Sequence, residues 1–309
     1  MIRTAARILV LLAITSSLLN GCSIKRVAIN KIGNSLAESG TTFASDDDPE
    51  LVGDAVPFSL KLMEGLLSSS PRHRGLLFAT ASGFTQYAYA YVQQDADRLE
   101  DSDVARAAAA RTRARRLYLR ARDYGLRGLE TRHANFAQEL RAHPRSAVLK
   151  TTKREVPFLY WTAASWGAAI AISKETPDLV ADQLQVEALI DRALELDEAF
   201  EYGAIHTFLV SYESARQGAT GDPAERARKH FDRAVSLSQR QSATPFISFA
   251  EAVSVSKQDR REFESLLHQA LSIDPDARPE WRLENLIMQR RARWLLGRAD
   301  DLFLEEIKR

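Results

Sequence analysis

The stretch Val156–Ser173, VPFLYWTAASWGAAIAIS, holds no charged residue in a chain of which 27% is charged. Pro157 opens a helix there, because its missing N–H falls where a helix has no partner for one. The run is then Ala163, Ala164, Ser165, Gly167, Ala168 and Ala169, with Trp161 and Trp166 as bulky insertions. Such a helix offers water no polar face and lets neighbouring backbones come close. As a membrane span it is too short: about 15 helical residues at 1.5 Å rise give roughly 23 Å against a ~30 Å hydrocarbon core. The run therefore predicts a central helix buried by other helices. Strand signals are scarce and Ala, Leu, Arg and Glu plentiful, so the whole chain reads as all-α.

The N-terminus reads as an export signal. Arg3 and Arg7 supply a positive region, Ile8–Ile14 an apolar one, and Leu19-Asn20-Gly21-Cys22 a cleavage site. Cys22 is the single cysteine of the protein, so it has no intramolecular partner. Its place resembles a bacterial lipobox, which implies lipidation of Cys22 as the first mature residue; an ordinary secretory signal is the alternative. Ser23 after it resembles an outer-membrane sorting signal, on the periplasmic side. Stable anchoring needs more than one acyl chain, which a processed lipoprotein has. The expected organisation is a signal peptide at 1–21, a lipidated N-terminus and tether at 22–47, and a single helical domain at 48–309. A formal charge of +1 points to no nucleic-acid partner.

Asp48-Pro49-Glu50 marks a helix start, with Asp as N-cap and Pro in the first turn. Helices follow over Leu51–Leu67, Gly75–Leu99 and Val104–Glu130. In the third, Ala110, Ala114, Leu117, Ala121, Tyr124 and Gly128 recur at alternating spacings of four and three, the mark of a packed seam. Arg106, Arg113, Arg120 and Arg127 form a heptad-spaced stripe beside it. Ala114-x3-Tyr118-x2-Ala121 is matched in form by Ala227-x3-Phe231-x2-Ala234, with weaker copies at Ile190 and Leu267. Small–aromatic–small spacing at such a period resembles degenerate tetratricopeptide hairpins, so an array of helical hairpins around the central helix is expected.

Asp46–Leu67, GFTQYAYAYV (Gly83–Val92), RARRLYLRARDYGLRGLE (Arg113–Glu130), the uncharged run and LIDRALELDEAFEYGAIH (Leu189–His206) together resemble the T-component family of TRAP transporters. The resemblance spans the mature chain in order. It implies an all-helical lipoprotein that associates with a periplasmic solute-binding protein, and it brings no catalytic residue.

Zinc-peptidase, phosphate-loop and nucleophile-elbow motifs are missing, and the six histidines have no ligand spacing. No cofactor or metal is expected. Tyr87, Tyr160, Trp161, Trp166, Tyr202 and His206 gather polar-tipped rings near the central helix, as a groove for a ligand or partner or as core. Tyr202 and His206, four apart, are expected on one helix face. Arg113, Arg120 and Arg127 read either as seam residues paired with acids or as an anion or interface site. Two functions fit: a non-enzymatic, lipid-anchored scaffold that assists uptake of an organic acid or hydrophobic ligand, with homo-oligomerisation open, or an envelope-assembly factor or enzyme on a helical frame.

Overall fold

The computed structural model describes residues 31, 33, 34, 40–216 and 218–304; the export signal and Cys22 lie outside the described residues. Helices α1 (Pro49–Ser69), α2 (Arg74–Tyr87), α3 (Gln94–Leu99), α4 (Val104–Glu130), α5 (Phe136–Ala142), α6 (Pro144–Leu149) and α7 (Val156–Ala171) form the first half. The second half is α8 (Gln183–Leu196), α9 (Ala204–Tyr212), α10 (Pro223–Leu237), α11 (Thr244–Phe249), α12 (Arg260–Leu271) and α13 (Arg282–Gly297). Shorter turns join them, and no strand occurs among the described residues. The starts follow local chemistry. The carboxylates of Asp48, Asp103 and Asp259 accept the backbone N–H three residues on, at 2.8–3.0 Å, which satisfies a donor the helix leaves open.

The uncharged run is α7, enclosed by α2, α4 and α8. Its close neighbour is α4, and the seam glycines explain the approach. A Cβ on Gly128 would lie 1.9 Å from the Phe158 ring, and one on Gly125 would lie 2.1 Å from Thr162 Oγ1. Two glycines on α4, not only the small residues of α7, therefore set the helix spacing.

The hydrophobic core has two large parts and a small third cluster of Leu60, Phe84 and Ala121. One part surrounds α7 and includes Tyr118, Phe136, Leu159 and Trp166. The other, around Phe246, Phe249 and Phe263, draws on α9–α13 and takes no residue from α7. The expectation that the whole chain wraps one helix is thus corrected for the C-terminal part, whose own phenylalanines fill its interior. Arg291 of α13 fastens the two. It is 9% exposed, donates to both Glu251 carboxylate oxygens at 2.6–3.1 Å and reaches Asp97 Oδ2 at 3.0 Å. Glu251 lies in a π-helical turn (Ala250–Ser254), and Asp97 follows another (Ala88–Gln93).

The last part of the tether expected at 22–47 lies among the described residues. Gly40–Ala44 is helical and packs on α13, and Arg282 donates to the Ser45 carbonyl at 2.9 Å. No helix among the described residues is long and apolar enough to cross a membrane.

Candidate functional site: an acid-aromatic recess

Between α8 and α9 the backbone takes an unusual path. Glu201, Tyr202 and Gly203 all have positive φ, at 43°, 54° and 99°. Glycine accepts that region freely; two bulkier residues there hold strain that the surrounding packing must maintain. The turn lifts Tyr202 out of the surface, 51% exposed, with its ring edge-on to Trp281 at 5.0 Å between centroids. The Arg278 guanidinium covers both rings, 4.5 Å from Trp281 and 5.3 Å from Tyr202.

Behind this pair, Tyr160 of α7 meets Trp161 at 5.0 Å and Phe200 at 5.4 Å. The Trp161 indole N–H lies against the Glu201 carboxylate, short of full hydrogen-bond geometry. Glu284 of α13 takes hydrogen bonds from the hydroxyls of Thr244 and Ser242. Neither Glu201 nor Glu284 has an ion-pair partner among the described residues. Both side chains are solvent-exposed along part of their length, while neighbouring protein atoms crowd each carboxyl. Desolvation pushes the Glu201 carboxyl up to about 7, with the Glu284 charge adding to it and the Trp161 indole opposing. Burial raises Glu284 too, against the pull of Thr244 and Ser242, and raises the Tyr160 hydroxyl. At neutral pH the site thus offers a carboxyl near its midpoint beside the Trp161 indole.

Of the groove candidates, the structure brings Tyr160, Trp161 and Tyr202 together and separates the others. Trp166 is 2% exposed, donates to Asp182 at 3.2 Å and lies under Arg122, so it is core. Its five-residue offset from Trp161 turns it about 140° around the helix. Tyr87 stacks on Tyr91 at 5.6 Å beside α4. His206 does not share a helix face with Tyr202, because the left-handed turn ends before α9 begins. It is 6% exposed, and its Nδ1 lies 2.9 Å from His230 Nδ1.

Three of the four stripe arginines are spoken for. Arg113 donates to the Tyr87 hydroxyl at 3.2 Å, Arg120 pairs with Glu64 at 3.2 Å, and Arg127 donates to the Pro71 carbonyl at 3.2 Å. This is seam packing of amphipathic stems. Among the described residues no group of three His, Cys, Asp or Glu side chains is placed to hold a metal ion. Sequence reasoning missed Phe200, Glu201, Trp281 and Glu284. Glu201 stood beside Tyr202 in AFEYG, but nothing in the spacing joined Trp281 and Glu284 to it.

The family model for the TRAP transporter T-component matches residues 45–303, and this chain belongs to that family. It is also 30% identical over 308 residues to an uncharacterized protein of Treponema pallidum (strain Nichols), covering 92% of this chain and 94% of that one.

Proposed function

We propose that this T-component is a non-enzymatic scaffold, anchored through lipid on Cys22 to the periplasmic side of the envelope, at the outer membrane. It associates with the solute-binding protein of its TRAP transporter and assists uptake of a small organic acid or hydrophobic ligand. Family membership supports the transport role. The observation that carries the site is the recess: Tyr160, Trp161, Tyr202 and Trp281 present apolar area, and a neutral Glu201 carboxyl donates a hydrogen bond to an incoming carboxylate. Tethering holds the soluble partner at roughly millimolar effective concentration, which raises capture without new chemistry.

The test is calorimetric titration of the mature chain with the solute-binding protein of its transporter, with and without ligand. Tyr202→Ala removes an exposed ring of the type that dominates interfaces, and is expected to weaken association about tenfold. The melting temperature stays near wild type, because the ring is half exposed. Unaltered affinity, or a large loss of stability, overturns this placement of the site. Cys22→Ala is expected to release the folded protein from the membrane fraction; equal retention refutes the anchor.

A further inference from the structure

Residues 131–155, from the end of α4 to the start of α7, carry Arg132, Arg141, Arg145, Lys150, Lys153 and Arg154 against Glu139 and Glu155. The surplus is local, since the whole chain has a formal charge of +1. Arg132, His133, Thr152, Lys153, Arg154 and Glu155 line an open cleft of about 680 Å³ at the N-terminal end of α7. Glu155 is its buried floor. One carboxylate oxygen accepts from the Thr152 N–H at 3.0 Å and hydroxyl at 2.7 Å. The other makes no hydrogen bond and is shared at longer range by Arg132 at 3.6 Å and Arg74 at 3.9 Å. One carboxylate therefore faces two guanidiniums, while Arg154 is exposed with no ion pair among the described residues. His133 Nε2 is buried and also lacks a hydrogen bond. Close by in sequence, Leu149 is 66% exposed, an apolar side chain next to Lys150.

The place of this cleft in the fold gives it an occupant. Arg72 and Arg74 donate to the carbonyls of Thr131 and Gly128 at the C-terminus of α4, at 2.8 and 3.1 Å, and flank His73. The chain arriving from Cys22 reaches the domain at that histidine: a Cβ on Gly33 would lie 3.2 Å from His73 Nε2. Gly33 lies eleven chain steps after Cys22, a reach of at most ~40 Å. A lipid on Cys22 thus holds this end of the domain within reach of a bilayer.

We propose that the basic end formed by residues 131–155 docks on anionic phospholipid headgroups, with Arg132 and Arg154 binding phosphate oxygens and Leu149 entering the interfacial layer. The orientation rests on the reading of Cys22 as lipidated; the headgroup site stands on the cleft alone. Guanidiniums suit phosphate because their forked donors match its oxygens, and the buried Glu155 keeps that of Arg132 at the cleft.

The experiment uses the mature chain carrying Cys22→Ala, so that no lipid contributes. Co-sedimentation is measured with vesicles of phosphatidylcholine alone and with about 30% phosphatidylglycerol. The anionic vesicles are expected to bind at least about tenfold better, and raised salt to abolish the difference. Arg132→Ala with Arg154→Ala is expected to cost about thirtyfold, two cations at about 1 kcal/mol each. Arg154→Glu alone, at an exposed unpaired position, gives the same direction without touching Glu155. Lys229→Ala with Lys257→Ala removes equal charge elsewhere and leaves binding unchanged. Equal binding to both vesicles overturns the proposal, as does an equal loss in the Lys229/Lys257 variant. Arg132-dependent heat on titrating inorganic phosphate without vesicle binding overturns it in favour of a free anion. Arg132-dependent capture of the solute-binding protein by a vesicle-blind chain overturns it in favour of an acidic protein face. Failure here leaves Cys22 lipidation standing, because the tested chain has none.

Discussion

Acidification tests the packing of α9 against α10 at one contact. His206 and His230 meet Nδ1 to Nδ1 at 2.9 Å, so one ring donates and the other, neutral, accepts. Burial depresses His230 to about 4, with the facing His206 reinforcing it and Glu213 opposing. His206 is lowered by burial against Glu198. Arg233, Arg216 and Asp191 complete the charges around the pair. In the unfolded chain a histidine takes its proton near 6.5. Between these values the unfolded state binds more protons than the folded one, so stability rises with pH across that window. The contribution is full above about 6.5 and is lost as pH falls toward 4. At about 1.4 kcal/mol per pKa unit, His230 accounts for about 3 kcal/mol over the window. The two rings titrate as a coupled pair, so the loss belongs to the contact. The assay is urea unfolding, followed by circular dichroism, of wild type and His230→Gln at pH 7, 5.5 and 4.5. The glutamine cannot take the proton, so the stability difference between the two chains shrinks or reverses as pH falls. A difference that stays constant with pH refutes the reasoning.

Three further outcomes are expected. Gly128→Ala gains about 1 kcal/mol of helix propensity but places a methyl inside the Phe158 ring; overpacking prevails, for a net loss of about 1–2 kcal/mol in thermal unfolding. Arg291→Ala leaves Glu251 and Asp97 without their shared guanidinium and lowers the unfolding free energy by about 3–5 kcal/mol in denaturant titration. Carbon-detected NMR titration of the Glu201 carboxyl finds a midpoint near pH 7, and ligand or partner affinity follows the same midpoint until Glu201→Gln flattens it.

How much was legible follows from the range over which each signal acts. The uncharged run announced α7 because a helix without a polar face has one stable place, and Val104–Glu130 was bounded by its own cap and periodicity. The seam and arginine stripe were likewise visible, since partners on a helix surface are three and four residues apart. The recess was half legible. Tyr160, Trp161 and Tyr202 lie on or near segments whose composition already marked them. Trp281 and Glu284 arrive from α13 through tertiary packing that leaves no local trace. The helical reading of AFEYGAIH failed at Glu201 and Tyr202, where packing imposes a left-handed turn on residues that do not favour it.

The return of α13 to the start of the chain changes how such an array comes apart. Open stacks of hairpins touch only their neighbours, so they fray from an end, one repeat at a time. Here Arg290 pairs with Glu50 at 2.8 Å, Arg298 with Asp101 at 2.9 Å and Arg291 with Asp97 at 3.0 Å, joining the last long helix to the first hairpin. Among the described residues the stack thus closes on itself through the last long helix. Opening either end breaks contacts made by the other, which couples the two cores into one cooperative unit. Closure also carries a kinetic consequence, since contacts so distant in sequence form late. The first hairpin waits for the last helix before its acids at 50, 97 and 101 find their partners.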